Sequence, residues 1–184
     1  MSMRKLKYHE QKLIKKVDFL QWKKDSSLRE IAVLRRYHVQ DREDYVKYNK
    51  LVGQVTKLVA KLKTLGANDN YRVAKTEQLA NKLYEMGVIN ARQGLAPCEK
   101  VNVSAFARRR LPVLMHRLKM AETIKDAVMY IEQGHIKVGV DTVTDPAFHV
   151  TRAMEDHITW VRGSKIGQKV QDYRSQRDDF EVFE

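Results

Sequence analysis

Tyr45, Tyr48, Val52, Val55, Val59 and Leu62 recur at alternating three- and four-residue steps. They trace one face of a long helix that Asp41 is placed to cap and that Gly66 and Asn68-Asp69-Asn70 end. Upstream, Ser27 with Glu30 three residues on reads as a capping box, and Leu28, Ile31 and Leu34 continue a short helix ending near Tyr37. Downstream, Leu79, Leu83 and Met86 mark a third helix closed by Gly87, while Val88 to Val103, with Gly94 and Pro97, reads as a loop or extended connection. Ser104 is predicted to cap the next helix. Arg108, Arg109 and Arg110 then occupy consecutive positions and point in different directions, at least one of them toward solvent or a partner. Pro112 implies a kink or a fresh helix start, after which Val113, Leu114 and Leu118 form an apolar face against His116, Arg117 and Lys119.

Thr123 is placed to cap a helix whose Ile124, Ala127, Val128 and Ile131 share one face, and Gly134 suits the left-handed position that ends it. The period then changes. Ile136, Val138 and Val140 alternate with Lys137 and Gly139, so one strand face is buried while the other, with His135 nearby, stays wet and cationic. Asp145-Pro146 is a turn, and Phe148, Val150, Ile158 and Trp160 complete the alternation, with Phe148 and Trp160 assigned to the core. The patterns predict an α+β chain. A basic arm and short helix occupy 1–40, a helical region 41–107, two helices with a twisted antiparallel hairpin sheet 108–162, and a tail 163–184.

Charge narrows the partners. The 184 residues carry a net charge of +12 and a pI near 9.7, so RNA, DNA or an acidic membrane surface is the expected counterpart. Residues 1–50 hold 14 Lys and Arg against 7 Asp and Glu, while 163–184 hold 4 against 5. Arg4, Lys5, Lys7, Lys12, Lys15, Lys16, Lys23 and Lys24 interleave with Tyr8, His9, Phe19 and Trp22, a mixture that grips phosphates and stacks on bases; a solvated arm with its aromatics packed inward is the alternative. Lys47, Lys50, Lys57, Lys61 and Lys63 form a further basic face. Cys98, the single cysteine, has no partner for an internal disulfide, which suits a reducing compartment. No apolar run approaches the roughly 18 residues of a membrane span, and Met1 to Leu20 lacks a signal-peptide core, so a soluble intracellular protein with no membrane partner is expected. A Gly-rich phosphate loop, a His-Glu-x-x-His pair and a cysteine cluster are all missing, and Asp44, Asp69 and Asp178-Asp179 suit structural or solvating roles. The chain reads as noncatalytic, with no cofactor or metal.

Arg109-Arg110-Leu111, Lys119-Met120-Ala121, Gly134-His135-Ile136-Lys137-Val138, Pro146 and Asp156-His157-Ile158 resemble, in order and spacing, the RNA-binding domain of the small-subunit ribosomal protein four family. The Asp41 helix and Glu77 to Val88 resemble the helical region preceding that domain. Arg4 to Leu13, Val17-Asp18-Phe19-Leu20 and Arg177-Asp178-Asp179-Phe180 are more similar to the family's nucleolar branch. The chain departs from the family pattern at Gly139-Val140, where Asn-Gly is usual, and at Met154-Glu155-Asp156, in place of Pro-Gly-Asp.

The resemblance implies a groove between the helix pair and the sheet that receives structured RNA through backbone and shape. Carried over, that groove uses Arg109, Arg110, Lys125, His135 and Lys137; Arg108, His116, Arg117, Lys119 and Arg152 join them as candidate RNA-binding residues. Duller uses are open: Arg109 pairing with Glu122 or another acid, His135 satisfying a backbone carbonyl. The same domain is appended to pseudouridine synthases and a tRNA synthetase, which carry separate catalytic domains. The nucleolar branch implies a nuclear, nucleolar subunit of the U-three small nucleolar ribonucleoprotein within the small-subunit processome. Its implied partners are U-three small nucleolar RNA, precursor rRNA (external transcribed spacer and small-subunit rRNA), M-phase phosphoprotein ten and other processome proteins. Its implied task is to promote RNA pairing. A structural ribosomal protein, or a protein scaffold docking through the Tyr45 helix and the Asp178 to Glu184 tail, are the competing readings.

Overall fold

Two apolar stripes, one on each side of the triple arginine, gather into separate large cores, and a small third cluster of Val33, Leu34, Tyr37, Val39 and Ala107 meets Val113 from the other side. The computed structural model describes residues 4–16 and 24–174, with the side chains of 14–16 and 24–27 left out of the description. Trp22, Phe19, Lys23, the Asp178-Asp179 pair and the Phe180 region therefore lie outside the described residues. So do the side chains of Lys15, Lys16 and Lys24.

The N-terminal half is helical: α1 (Tyr8–Lys16), α2 (Lys24–Arg36), α3 (Arg42–Thr64), α4 (Asn70–Glu85), α5 (Ala96–Glu99) and α6 (Val103–Ala107). The long stripe packs as expected, with Tyr48, Val52, Val55 and Val59 of α3 meeting Ala80 and Leu83 of α4, Cys98 of α5 and Phe106 of α6. Four local expectations need correction. Ser27 lies inside α2, which begins at Lys24, so it does not cap that helix. Asp41 holds the N-cap position of α3, but its side chain makes no capping bond. Asp69, read as a helix stop, instead caps α4 by accepting the Tyr71 N–H at 2.9 Å. Ser104 sits within α6, whose cap is Asn102, accepting the Ala105 N–H at 3.0 Å. The stretch read as a connection contains α5, started by Pro97 in its first turn.

The C-terminal half holds α7 (Leu111–Arg117), α8 (Ile124–Glu132), β1 (Ile136–Val138), β2 (Asp141–Thr142), α9 (Arg152–Glu155), β3 (Ile158–Trp160) and α10 (Lys165–Tyr173). Pro112 does begin a fresh helix, and Thr123 caps α8 by accepting the Asp126 N–H at 3.1 Å. Leu111, Leu114, Met115, Ile131, Ile136, Val150 and Ile158 form the second core, with Phe148 and Trp160 packed against it. The antiparallel sheet has the order β2-β1-β3. Its alternation stops sooner than the sequence suggests: Gly139 (φ 67°) and Val140, 95% exposed, form the two-residue hairpin loop. Glycine first in that loop, with the second residue at negative φ, is the type II′ arrangement. Phe148 to Val150 form no strand beyond a single bridge between His149 and Arg110, and α9 separates them from β3.

Four of the described helices close with the same Schellman geometry, in which the residue after the cap is left-handed. At α2 it is His38, φ 47°, with Val39 N bonded to Leu34 O. At α4 it is Gly87, at α7 Lys119 and at α8 Gly134, with φ of 73°, 60° and 73°. Their closing bonds run from Val88 N to Leu83 O, Met120 N to Met115 O and His135 N to Tyr130 O. Gly87 has a second constraint, since an added Cβ would lie 2.5 Å from Arg109 Nε. We predict that Gly87→Ala lowers stability in urea unfolding by about 2 kcal/mol or more. Gly94→Ala, also left-handed but with open space around it, should cost only about 1 kcal/mol.

Candidate nucleic-acid interface

Three residues expected at an RNA groove are used inside the protein. Arg110, 2% exposed, donates to Asp44 Oδ2 at 2.8 Å and to the Tyr48 hydroxyl at 3.2 Å, both on α3. Arg109, 5% exposed, turns the other way, its Nε donating to the Val150 carbonyl at 3.0 Å and Nη1 to Glu155 at 2.8 Å. Arg152 reaches back to the helical half. Its guanidinium lies 4.1 Å from the Tyr84 ring centroid and donates to the Tyr84 and Ile89 carbonyls, each at 2.8 Å. Neighbouring His149 Nε2 lies 3.0 Å from the Met86 carbonyl, which can only accept, so this nitrogen carries a proton. Arg109, Arg110 and Arg152 are thus corrected from candidate RNA contacts to a polar seam. Arg109 and Arg110 are enclosed and paired and so not available to a phosphate at the surface, while Arg152, half-buried, is committed to two carbonyls. Arg109 does pair with an acid, but with Glu155, which stands where the family resemblance would place glycine.

The remaining candidates stay outside. Arg108, His116, Arg117, Lys119 and Lys125 are exposed, and His135 and Lys137 half-buried. Arg117 shares Glu155 with Arg109. Lys137, on the middle strand, sits opposite Thr142 and Thr159, on the sheet face turned from the core. His135 Nδ1 lies 3.1 Å from the Ser164 hydroxyl, which also caps α10 by accepting the Gly167 N–H. In the arm, Lys5, Lys7 and Lys12 are exposed, whereas Arg4 is bound to Glu10 at 2.7 Å. Glu10 also accepts the Lys7 N–H at 2.8 Å, closing the start of α1 as half a capping box. The Arg4 contact, then the Lys7 N–H, hold the Glu10 carboxyl below its ordinary range.

Two of the exposed cations stand where helix physics disfavours them. Lys119 occupies the left-handed position that glycine fills at the ends of α4 and α8 and His38 at the end of α2, at a cost of roughly 1 kcal/mol. Lys125 lies in the first turn of α8, where the helix dipole repels positive charge by about 0.3–1 kcal/mol. They stand at the end of α7 and the start of α8, helices that pack together. Local violations of this kind mark sites where a side chain answers to something other than stability. The sequence shows both signals, a lysine just past a helix end and another just inside a helix start, but only the backbone angle and the helix bounds expose the cost.

Comparison with known proteins gives the arrangement a context. Residues 5–108 match the family described as "Ribosomal protein S4/S9 N-terminal domain" and residues 109–156 match "S4 domain". The chain is 54% identical over 180 residues, covering 97% of it and 98% of the relative, to the "U3 small nucleolar ribonucleoprotein protein IMP3" of Saccharomyces cerevisiae. It is 50% identical over 181 residues, covering 98% of each chain, to the protein of that name from Homo sapiens. A "Small ribosomal subunit protein uS4" from Picrophilus torridus is 29% identical over 143 residues, covering 76% of each chain.

The seam makes stability depend on pH in two windows. Burial raises the Asp44 carboxyl, but hydrogen bonds and charge from Arg110 and Lys47 outweigh it and leave its pKa below the ordinary value. Its contribution is therefore complete above the ordinary carboxylate pKa, about 3.9, and is lost as pH falls through the lower folded value. Burial, and then the Arg109 charge, depress the His149 imidazole, against the opposing Met86 bond. As pH falls below about 6.5 the unfolded chain takes this proton first, and stability declines until the folded value is reached. We expect Asp44→Asn to cost about 3 kcal/mol at neutral pH and to remove part of the acid loss. His149→Gln should flatten part of the decline between neutral and mildly acid pH. Both are read from urea unfolding across pH.

Proposed function

Because the chain belongs to the family of the U3 small nucleolar ribonucleoprotein protein IMP3, built on the S4 domain, we propose that it is a noncatalytic, nucleolar RNA-binding subunit of that particle. In this role it promotes pairing of U3 small nucleolar RNA with precursor rRNA during early small-subunit processing. The observation that carries the reading is identity of half or more along almost the whole chain, arm included. The ribosomal relative is matched over a shorter span at lower identity, which favours the nucleolar role over a structural place in the mature subunit.

The physical means is differential binding. Two RNA strands repel through their phosphates, and a surface carrying Arg108, Arg117, Lys119, Lys125 and Lys137 binds the joined strands more strongly than either alone, which shifts the equilibrium toward pairing. His116, exposed, and His135, half-buried beside Ser164, are further proposed contacts. The arm, with Lys5, Lys7, Lys12, Lys15 and Lys16, screens charge more diffusely, and Arg4, once released from Glu10, adds to it. M-phase phosphoprotein ten and other processome proteins are the proposed protein partners.

Annealing of a U3 RNA fragment to its precursor rRNA target, followed by fluorescence, tests this. Wild-type protein should accelerate it, and Lys119→Glu with Lys125→Glu should slow it about tenfold. Deleting Met1 to Trp22 should weaken annealing and flatten its salt dependence. Annealing unaffected by the double variant, or sedimentation of the protein with mature small subunits, contradicts the proposal.

A further inference from the structure

We propose that the cleft between α10 and the outer edge of β3 is a second RNA subsite, one that holds an unpaired nucleotide segment flanking the structured RNA; this rests on the RNA-binding role proposed above. The cleft measures about 800 Å³, within the size of small-ligand pockets, so it has room for unpaired nucleotides but not for a duplex. Among the described residues its lining includes Lys137, Arg162 and Arg174 and no carboxylate. Gln168 and Gln171 of α10 offer amide donors and acceptors, and Met120, Ile158 and Trp160 supply apolar wall for a base. Lys137 and Arg174, the amides and the apolar wall together suit a phosphate-linked base. The neighbouring groove on α10 is lined by Glu122 and Asp126 as well as Lys169 and Arg174, and that mixture of signs does not suit a polyanion.

The cleft is also continuous with the surface already described. Lys137 belongs to both, and Leu118 and Met120, on either side of Lys119, line its wall. Its shape is held by the contact of Gly167 with Trp160, since an added Cβ would lie 2.9 Å from the indole. The helix α10 lies beyond the residues matched by the S4 domain, so this wall adds to that module.

The full chain would be titrated with an RNA hairpin bearing a short unpaired uridine flank and with the same hairpin made blunt. Wild type should favour the flanked probe. Arg174→Glu and Gln168→Glu, each alone, should reduce affinity for the flanked probe about tenfold and leave the blunt probe unchanged. Equal affinity of wild type for both probes, equal weakening of both by the variants, or an acidic peptide taking the cleft in place of the flank would overturn the assignment. Failure of wild type to bind either probe would instead overturn the RNA-binding role itself.

Discussion

The buried ion pair between Arg110 and Asp44, across 66 residues of sequence, is the contact on which the rest of the arrangement depends. The two large cores are separate apolar clusters, and a small third one sets Tyr37, Val39 and Ala107 against Val113 of α7; apolar contact alone would tolerate sliding, because the hydrophobic effect has no direction. Hydrogen bonds do have direction. Arg110 reaches into the helical half and Arg109 into the loop before α9, while Arg152 and His149 return to the end of α4. Hydrogen bonds from these four side chains, of opposed sense, fix the angle at which the sheet module leaves the helices. The seam carries a penalty of its own, since Arg109 Nη2 is buried without a hydrogen-bond partner.

Once that angle is fixed, the cations divide into an inner and an outer set, with Arg108 and Arg117 outside beside the lysines. Arginine's planar fork suits enclosed carboxylates and carbonyls, and it fills the seam. Lysine, strongly hydrated and compact, is exposed on α8 and the turn after α7 and half-buried on β1. Lys119 and Lys125 each lower stability where they stand, so a fold optimised only for itself would place other residues there. A polyanion that repays those costs gives them a physical reason.

Much of the fold was readable locally. The α3 stripe, Thr123, Pro112, Gly134 and the Asp145-Pro146 turn act within a few residues of themselves, and each behaves in the structure as the pattern predicts. Asn102 displaced Ser104 as a cap because both types cap well and only the backbone decides which one stands outside the helix. The α10 helix, in a stretch read as tail, carries Gly167 at the point where close packing on Trp160 needs it. The arginines were the deepest failure. Neighbouring Arg108, Arg109 and Arg110 look equivalent in sequence, yet one faces solvent and two are enclosed by partners 41 to 66 residues away. Nothing local records such distances, and the seam was invisible until the chain was folded.

The central proposal is that Lys119, Lys125 and Lys137 grip RNA while Arg109, Arg110 and Arg152 hold the protein together. The most direct measurement is the slope of log binding constant against log salt concentration for a structured RNA, comparing wild type with a Lys119→Gln, Lys125→Gln, Lys137→Gln variant whose unfolding midpoint is also determined. The account predicts a slope shallower by about 2 to 3 with a midpoint no lower than that of wild type, since each lost phosphate contact removes roughly 0.7 to 0.9. A slope equal to that of wild type would contradict it.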